Sequence, residues 1–317
     1  MVVNPSATST TAAGRDVIVS ALRSQLDVQV VHTDHRGHAA ELAARAAVDE
    51  TALIVVHGGD GTVNEVVNGL LGEHVPGVTP PTDTPAIAVV PGGSANVFAR
   101  ALGLAPDPLE ATRQLLDALA AGSRRQVGLG AANTRWFLFS AGLGWDAEVV
   151  HAVEVRRARG KEATPGRYLR AAVRHLVRSA QRPARLTVEL PGGDAVCAVH
   201  MLLVSNTDPW TFFGPRAVHT NPGTTFDTGL GIFGSTSLGV PTLTRLVSQM
   251  VATRSDPRAR KLLRRDDLDR FVVRCSEPTG LQLDGDYLGL RTEVRFAAVA
   301  RALTVLLPPE LADPRPA

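Results

Sequence analysis

Three glycines and an aspartate stand together at Gly58-Gly59-Asp60-Gly61, directly after the apolar run Ala52–Val56. Glycines let the backbone approach a bulky anion because no Cβ stands in the way. A helical pattern begins near Thr62, and the free amides and positive dipole at a helix start favour phosphate. The pattern therefore predicts a phosphate-binding turn, with Thr62 capping the helix or contacting the phosphate. A plain tight turn with an Asp-Gly step is the alternative.

A second segment, Pro91-Gly92-Gly93-Ser94-Ala95-Asn96, follows the apolar strand pattern Ile87–Val90 and repeats this design. In a parallel sheet, two such turns lie at the same carboxyl edge, so they can converge on one ligand. Together they predict a nucleotide cleft. Neither turn matches Gly-x-Gly-x-x-Gly, and neither carries the lysine of a P-loop.

The elements that would position these turns alternate between strand and helix over the first ~125 residues, which favours a parallel sheet with crossover helices. Asp27–His32 is typical of a strand, and Gly37–Asp49 and Pro106–Ala121 are typical of helices. After about Gln126, short strands separated by glycine and proline turns predict an antiparallel sandwich or curled barrel. Helical patterns at Gly166–Gln181 and Pro241–Thr253 interrupt those strands, and Pro308–Ala317 is expected to be a frayed tail.

Composition excludes several classes of protein. A chain of 317 residues suggests two domains, and its 44% hydrophobic content excludes a wholly disordered or fibrous protein. The 33 basic and 31 acidic residues give a net charge of +2, too balanced to predict nucleic-acid binding. Cys197 and Cys275 form no CxxC pair, so we expect neither a zinc site nor a disulfide framework. No apolar run reaches the ~18–20 residues of a membrane span, and we expect a cytoplasmic protein.

The segments GGDGTVNEVVNGL and PGGSANVFARALGL resemble the diacylglycerol kinase catalytic-domain family, which includes bacterial diacylglycerol kinases, YegS-like lipid kinases and sphingosine kinases. The resemblance extends over nearly the whole chain. Asn4-Pro5-Ser6 is similar to the family's opening nucleotide motif, and Thr33 matches a threonine used at the nucleotide. Gly142–Ala147 matches a Gly-x-Gly-x-Asp-Ala element, and Leu283–Asp286 matches the late Asp-Gly-Glu that carries the catalytic residue.

The resemblance implies an α/β nucleotide domain related to NAD kinases, over residues 1–126 with 303–317 returning to it, and a β-sandwich lipid domain over 127–302. It implies ATP as phosphoryl donor together with Mg²⁺. The residues that it assigns to the nucleotide are Asn4, Pro5, Ser6, Thr33, Gly58, Gly59, Asp60, Gly61, Thr62, Asn64, Glu65, Gly92, Gly93, Ser94 and Asn96. It makes Asp284 the catalytic base, aided by Asp286, with Asp60 as the next candidate.

Several residues depart from the family pattern. Val97 replaces an aspartate, and Asp286 replaces the glutamate of Asp-Gly-Glu. Thr228 stands where many bacterial members have an aspartate at a structural Mg²⁺ site, a site that Thr225, Thr228 and Leu230 match in position. That structural metal site is therefore in doubt, whereas the Mg²⁺ that accompanies ATP is unaffected.

The prediction is an ATP-dependent lipid kinase with a diacylglycerol-like acceptor. A kinase for a soluble acceptor such as NAD, and a non-catalytic nucleotide- or lipid-binding regulator, stay open as alternatives. Arg167, Arg170, Arg174 and Arg178 line one helical face, which is either a solvated surface or a surface that meets anionic lipid. We expect transient association with the inner membrane surface and no nucleic-acid partner, and a homodimer stays open.

Overall fold

The computed structural model of the chain describes residues 1–8, 11–49, 51–81, 83–158, 183–252 and 255–313. The chain divides into two compact units. The first unit comprises Met1–Leu129, Thr134–Leu138 and Val299–Ala317. The second unit comprises Gly130–Asn133 and Phe139–Ala298. The predicted helix at Gly166–Gln181 and the arginine face on it lie outside the described residues.

The first unit is built on parallel strands. They are β1 (Val2–Val3), β2 (Val31–His32), β3 (Leu53–Gly58) and β4 (Ala86–Pro91), in the order β4-β3-β1-β2. Its helices are α1 (Ala12–Leu22), α2 (His38–Val48), α3 (Asp60–Leu71), α4 (Val97–Ala101) and α5 (Pro108–Ala121). The strands β5 (Arg124–Ala132) and β6 (Arg135–Phe137) follow.

Buried aliphatic side chains hold the first unit together. The apolar runs of β3 and β4 are buried along nearly their whole length, as expected for parallel strands covered on both faces. One cluster joins Ile18 and Leu22 of α1 to Val55 of β3, Val90 of β4 and Leu115 of α5. Asp107 caps α5 by accepting the N–H groups of Leu109 and Glu110, which fixes where that helix begins.

The second unit is rich in antiparallel strands. They are β7 (Ser140–Gly144), β8 (Leu186–Glu189), β9 (Ala195–Val199), β10 (Met201–Ser205), β11 (Thr211–Phe213), β12 (Arg216–Val218), β13 (Leu230–Ser235), β14 (Leu262–Leu268), β15 (Arg270–Leu283) and β16 (Asp286–Leu306). Two helices, α6 (Trp145–Ala158) and α7 (Val240–Met250), accompany them. The strands pair in the order β14-β13-β10-β7-β15-β16, and β8 pairs with β15 and with β9.

The long strand β15 pairs with different strands along its length. Its first half pairs with β8 through Val272–Cys275, and its end pairs with β7 through Leu281–Leu283. The register against β16 shifts between Arg274 and Thr279, and such an irregularity lets a strand bend. The end of β15 is therefore fixed against β7 on one side and β16 on the other.

The predicted fold class, a parallel α/β domain followed by a strand-rich domain, is confirmed. Three local predictions need correction. The strand predicted at Asp27–His32 is only Val31–His32, and α6 was not predicted. Within the predicted frayed tail, Pro309–Ala312 forms a short helix, α8, whose Leu311 lies against Gly103. Among the described residues, no helix combines the length and apolar character needed to cross a membrane.

Candidate functional site

The carboxyl ends of the four parallel strands bring the predicted nucleotide motifs to one edge of the first unit. Asn4 follows β1, Thr33 follows β2, Gly59 follows β3 and Gly92 follows β4. Backbone hydrogen bonds continue past the strand ends: Asn4 N–H donates to His57 O at 3.0 Å, and Thr33 N–H donates to Val3 O at 2.8 Å. These four residues are thus neighbours although up to 88 positions separate them in the chain.

The two glycine turns touch each other. Gly92 N–H donates to Gly58 O at 2.8 Å. A Cβ added at Gly93 would lie 2.7 Å from the Gly59 Cα, and one added at Gly59 would lie 3.3 Å from the Gly93 Cα. Backbone–backbone contact therefore requires glycine at position 93, independently of any ligand. These glycines can therefore be needed for the tight turn itself and can also leave space for a phosphate group, because the two roles do not exclude each other.

Asp60 connects the two turns through its carboxylate. Its Oδ2 accepts the Val97 N–H at 3.0 Å, and its Oδ1 accepts the Phe98 N–H at 3.1 Å. Desolvation raises the pKa of Asp60, and the hydrogen bonds from Val97 and Phe98 oppose that rise. The carboxylate therefore caps α4. This contact argues against Asp60 as the reserve catalytic base.

Asn96 closes the second turn on itself. The residue has a left-handed backbone with φ of 47°, which asparagine tolerates better than most residues. Its Oδ1 accepts the Gly93 N–H at 2.9 Å and its Nδ2 donates to Gly93 O at 2.7 Å. The side chain is thus engaged with the turn, while Ser94 is exposed at the tip.

Four further predicted residues also make contacts within the first unit. Asn4 Nδ2 donates to Thr62 Oγ1 at 3.0 Å, which fastens the end of β1 to the start of α3. The buried Asn64 donates to Trp136 O at 3.2 Å, and Glu65 Oε1 accepts the Gly37 N–H at 2.9 Å where α2 begins. These four side chains position elements around the edge. Pro5 and Ser6 are exposed there, and Gly61 and Thr33 are half-buried.

Basic side chains lie close to this edge. Arg100 of α4 interacts electrostatically with Asp60, and Arg15 of α1 lies 3.2 Å from the His32 ring through its Nη1. Desolvation lowers the pKa of the buried His57, whose Nδ1 lies 3.2 Å from Val90 O. His57 is therefore neutral at pH 7, and arginines supply the positive charge that an anion would meet.

In the second unit, Asp284 and Gly285 form the two-residue loop between β15 and β16. Leu283 pairs with Asp286 across the loop. The φ angles are 50° at Asp284 and 85° at Gly285, and positive φ at both central residues is the requirement of a type I′ turn. The Asp-Gly pair is therefore a hairpin turn, the structural alternative to a catalytic role, but the turn does not explain where its carboxylate points.

The Asp284 carboxylate is directed inward and is only 6% exposed. Its Oδ1 accepts the N–H groups of Phe139 and Ser140, both at 3.0 Å, and its own N–H donates to Ser140 O at 2.8 Å. Two amide donors on one oxygen fix the carboxylate in place. Asp286, by contrast, is half-buried at the first position of β16.

Asp146 and Gln282 are functional candidates that the sequence prediction missed. Gln282 Nε2 donates to Asp146 Oδ2 at 2.8 Å, and Gln282 Oε1 accepts the Gly285 N–H at 2.9 Å. Burial raises the pKa of Asp146 to about 6, and the hydrogen bond from Gln282 opposes the rise. Asp146 stands in the matched Gly-x-Gly-x-Asp-Ala element, which was the available signal; nothing in the sequence marked Gln282.

A cavity of about 270 Å³ lies beside the same hairpin. Its lining comes from α6 and from the facing strands of the second unit, and includes Glu148, His151, Thr279, Gly280, Tyr287 and Leu290. The rings of His151 and Tyr287 lie 4.3 Å apart, and Tyr287 N–H donates to Glu154 Oε1 at 3.1 Å. The cavity combines apolar walls with a few polar groups, as small-molecule sites do.

The residues at the matched structural Mg²⁺ position do not fit a hard cation, which prefers several oxygen ligands with carboxylates among them. Thr228 Oγ1 accepts the Thr225 N–H at 2.9 Å and donates to Thr225 O at 3.0 Å. Leu230 is fully buried in β13. The threonine hydroxyl thus closes this loop with hydrogen bonds, and we assign it no metal.

A family model described as the diacylglycerol kinase catalytic domain matches residues 1–131. A diacylglycerol kinase of Bacillus subtilis (strain 168) is 29% identical over 280 residues, which cover 87% of this chain and 84% of that relative. A diacylglycerol kinase of Staphylococcus carnosus (strain TM300) is 34% identical over 134 residues, covering 42% of this chain and 40% of the relative.

Solved structures share the fold. The crystal structure of a diacylglycerol kinase from Bacillus anthracis str. Sterne superposes with a TM-score of 0.71 at 20% identity, over 98% of this chain and 96% of that one. An NAD kinase from Archaeoglobus fulgidus, in complex with ATP, gives a TM-score of 0.53 at 13% identity, over 98% and 94%. The predicted resemblance is thereby confirmed: residues 1–131 of this chain match the diacylglycerol kinase catalytic domain, and a relative that is similar over most of its length is a diacylglycerol kinase.

Proposed function

We propose that the protein is an ATP-dependent lipid kinase that transfers the γ-phosphoryl group of ATP to the hydroxyl of a diacylglycerol-like lipid. The observation that carries the proposal is the convergence of the strand-end motifs on one edge of the first unit, where Gly59 and Gly93 touch. In the diacylglycerol kinase family, which residues 1–131 resemble, those motifs serve the nucleotide. The B. subtilis relative supports diacylglycerol as the acceptor class.

The chain's part at the nucleotide is to bind and orient phosphates. The donors are the backbone amides of Gly59, of Gly61 and of the exposed Ser94, since those of Gly92 and Gly93 already donate within the turns. The acidic Asp60 cannot neutralise phosphate, and no P-loop lysine is present. Arg15 and Arg100 add positive charge near the edge. Mg²⁺ that enters with ATP supplies further charge neutralisation of its phosphates.

Asp284 is the proposed general base. Its carboxylate accepts the proton of the lipid hydroxyl as the bond from that oxygen to the γ-phosphorus forms. The bond from the γ-phosphorus to the oxygen it shares with the β-phosphorus breaks, and ADP leaves. The amides of Phe139 and Ser140 hold the base in one orientation throughout.

The cavity beside the hairpin is the proposed acceptor site. It adjoins β15 and β16, the two strands that the Asp284-Gly285 loop connects. Its apolar walls suit part of an acyl chain, and Glu148 and His151 suit hydroxyl or ester groups near the polar head. A Gly280→Ala variant, whose Cβ would lie 3.1 Å from Tyr287 Cε2, narrows the cavity and should raise the KM for diacylglycerol while leaving the KM for ATP unchanged.

Asp284→Asn is the decisive test of the proposed function. Both backbone amides bond to Oδ1, so an asparagine oxygen can accept both, and Asn-Gly suits the same turn. The variant should keep its melting temperature and its ATP affinity, while turnover with diacylglycerol falls by at least about 10²-fold, the scale of general-base catalysis. Near-normal turnover would exclude Asp284 as the base.

Asp286→Asn is the matched control, since it removes a carboxylate from the same hairpin two positions away. We expect a smaller loss, because Asp286 is assigned only an orienting role. The acceptor alternatives are decided on the wild-type protein with a small lipid panel and NAD. Phosphorylation of NAD in preference to every lipid would indicate the soluble-acceptor kinase, and binding without turnover would indicate a regulator.

Transient contact with an anionic membrane surface is a separate proposal, based on Arg167, Arg170, Arg174 and Arg178 in the sequence. Salt should weaken the contact, because charges are screened over ~10 Å at 0.1 M ionic strength. Co-sedimentation with vesicles tests this. Equal binding to anionic and neutral vesicles, or no binding to either, would exclude a role for these arginines. A homodimer stays an untested prediction, open to measurement by light scattering.

A further inference from the structure

Asp146 and Gln282 form a buried link to the turn that carries Asp284. Asp146 is 3% exposed at the start of α6, and Gln282 is 2% exposed near the end of β15. The glutamine amide uses both of its ends: Nε2 donates to Asp146 Oδ2 at 2.8 Å, and Oε1 accepts the Gly285 N–H at 2.9 Å. Asp146, Gln282 and the Gly285 amide are therefore hydrogen-bonded in series, and Asp146 lies 136 positions away from Gln282 in the chain.

The chemistry of the link fixes the direction of each bond. A carboxylate can only accept, so Asp146 requires the NH₂ end of the glutamine amide. The carbonyl end is then directed to the Gly285 N–H, which can only donate. If the Gln282 amide were turned by 180°, its NH₂ group would face the Gly285 N–H, and its carbonyl oxygen would face the Asp146 carboxylate. Neither pair could form a hydrogen bond. Asp146 thus determines which end of Gln282 reaches the turn.

The neighbouring strand β7 lies directly against this link at Gly142, where a side chain would clash with it. A Cβ added at Gly142 of β7 would lie 2.0 Å from Asp146 Oδ2 and 2.8 Å from Gln282 Nε2. The hydrogen bond between the two side chains therefore passes directly over Gly142. Burial of a carboxyl group is also unfavourable, and its raised pKa reflects that cost. An apolar side chain at position 146 would fill the same space without that cost.

The Gly285 amide lies next to Asp284 in the two-residue loop. Asp284 is held on its other side by the amides of Phe139 and Ser140. The turn is thus fixed by β7 through Asp284 and by the glutamine through Gly285. Without the second contact, the left-handed backbone at Asp284 would be free to relax, and the carboxylate would move with it.

We propose that Asp146 is a positioning residue that orients Gln282, and that Gln282 holds the Gly285 amide so that the Asp284 carboxylate keeps its place. The catalytic consequence rests on the proposed function, in which Asp284 is the base. The hydrogen-bonded link from Asp146 through Gln282 to Gly285 does not depend on the proposed function. The link and its catalytic consequence are measured separately.

The experiment compares Gln282→Met and Asp146→Leu, which remove the link at similar volume, with Asp146→Asn, whose side-chain oxygen can still accept from Gln282. The first readout is hydrogen exchange of the Gly285 amide in glycine-labelled protein. We expect exchange of this amide to accelerate about tenfold or more in the Met and Leu variants. In these variants, local opening of the turn no longer has to break the hydrogen bond from the Gly285 N–H to Gln282. Asp146→Asn should stay near the wild type.

The second readout is steady-state turnover with ATP and diacylglycerol. In Gln282→Met and Asp146→Leu, kcat should fall by about 10²-fold, the effect of a misplaced catalytic group, while the KM values for both substrates stay within about threefold. Asp146→Asn should recover most of kcat. Such a split between kcat and KM, with rescue by asparagine, is not expected of a merely structural pair.

Gln249→Met is the matched control. Gln249 Oε1 also accepts a backbone amide, that of Arg258 at 3.0 Å, at a place not connected to the hairpin. This variant should change neither readout. The proposal is overturned if Gln282→Met leaves Gly285 exchange at the wild-type rate, or if Gln249→Met reduces kcat as much as Gln282→Met does. If the wild-type protein phosphorylates no lipid, the proposed function fails while Gly285 exchange still decides the link.

Discussion

Asp60 accepts the Val97 backbone N–H at 3.0 Å across a gap of 37 residues in the chain. Val97 stands where the related kinases have an aspartate, and only its main chain takes part in this contact. The aspartate of the first glycine turn thus caps the helix that follows the second turn. One carboxylate therefore sets the spacing between the two glycine turns, and its own acid–base chemistry is not needed for that task.

The first prediction concerns Asp60. Asp60→Ala should lower the free energy of unfolding by about 1–3 kcal/mol, because the buried amides of Val97 and Phe98 lose their acceptor. Asp60→Asn should cost less, since its oxygen can still accept one N–H. Urea unfolding measures both. An alanine variant with wild-type stability and no turnover would show instead that Asp60 acts directly on the reactants.

The contact between the glycine turns leads to the second prediction. Gly93→Ala places a Cβ 2.7 Å from the Gly59 Cα, and neither backbone can yield without moving the turn. We expect ATP affinity, measured by calorimetry, to fall at least about tenfold, and the larger Gly59→Val to abolish it. Gly223→Ala is the control, because a Cβ there meets nothing within 4 Å. Unchanged affinity in both turn variants would move the nucleotide elsewhere.

The third prediction is a pH dependence of stability. The pKa of Asp146 is raised from 3.8 to about 6 by burial, so the folded state holds its proton more tightly than the unfolded state. Stability from this group is therefore full below about pH 4 and is lost as pH rises through about 6. At ~1.4 kcal/mol per pKa unit, the ionised carboxyl costs the fold about 3 kcal/mol at pH 7.

Asp146→Asn removes that titration. The stability of the variant relative to the wild type should rise by about 3 kcal/mol between pH 4 and pH 7, as measured by urea unfolding at a series of pH values. A difference that stays constant over this range would mean that Asp146 has an ordinary pKa.

The loop at Thr228 gives the fourth prediction. The melting temperature should be the same in EDTA and in millimolar Mg²⁺, because hydrogen bonds to Thr225 close the loop. Thr228→Asp restores the carboxylate of the related kinases, and we expect Mg²⁺ to stabilise that variant alone. A wild-type protein that loses stability in EDTA would contradict this assignment.

The sequence predicted the fold class, and it predicted that the glycine turns meet at one edge of the parallel sheet, because strand–turn–helix patterns and glycines are local signals. Nucleotide binding at that edge stays a prediction. The roles of individual side chains were harder to predict. The nucleotide motifs of the family include Asn96, Asn64 and Glu65. In the structure each of these side chains forms a hydrogen bond with another residue of the first unit, and partners such as Trp136 are set by the tertiary fold. Gln282 carries no motif at all, and only the pairing of β15 with β7 places it against Asp146.

The final segment of β16 has a consequence for synthesis of the chain. Val305 pairs in parallel with Ile87 at the β4 edge, and Leu306 packs in the same core as Val55 and Val90. The first unit therefore cannot complete its sheet on the ribosome until residues beyond 300 have left the exit tunnel, although most of it was translated first. A stop codon before Val299 would thus remove an interior strand from the sheet of the first unit, and premature chains should be substrates for cellular proteases.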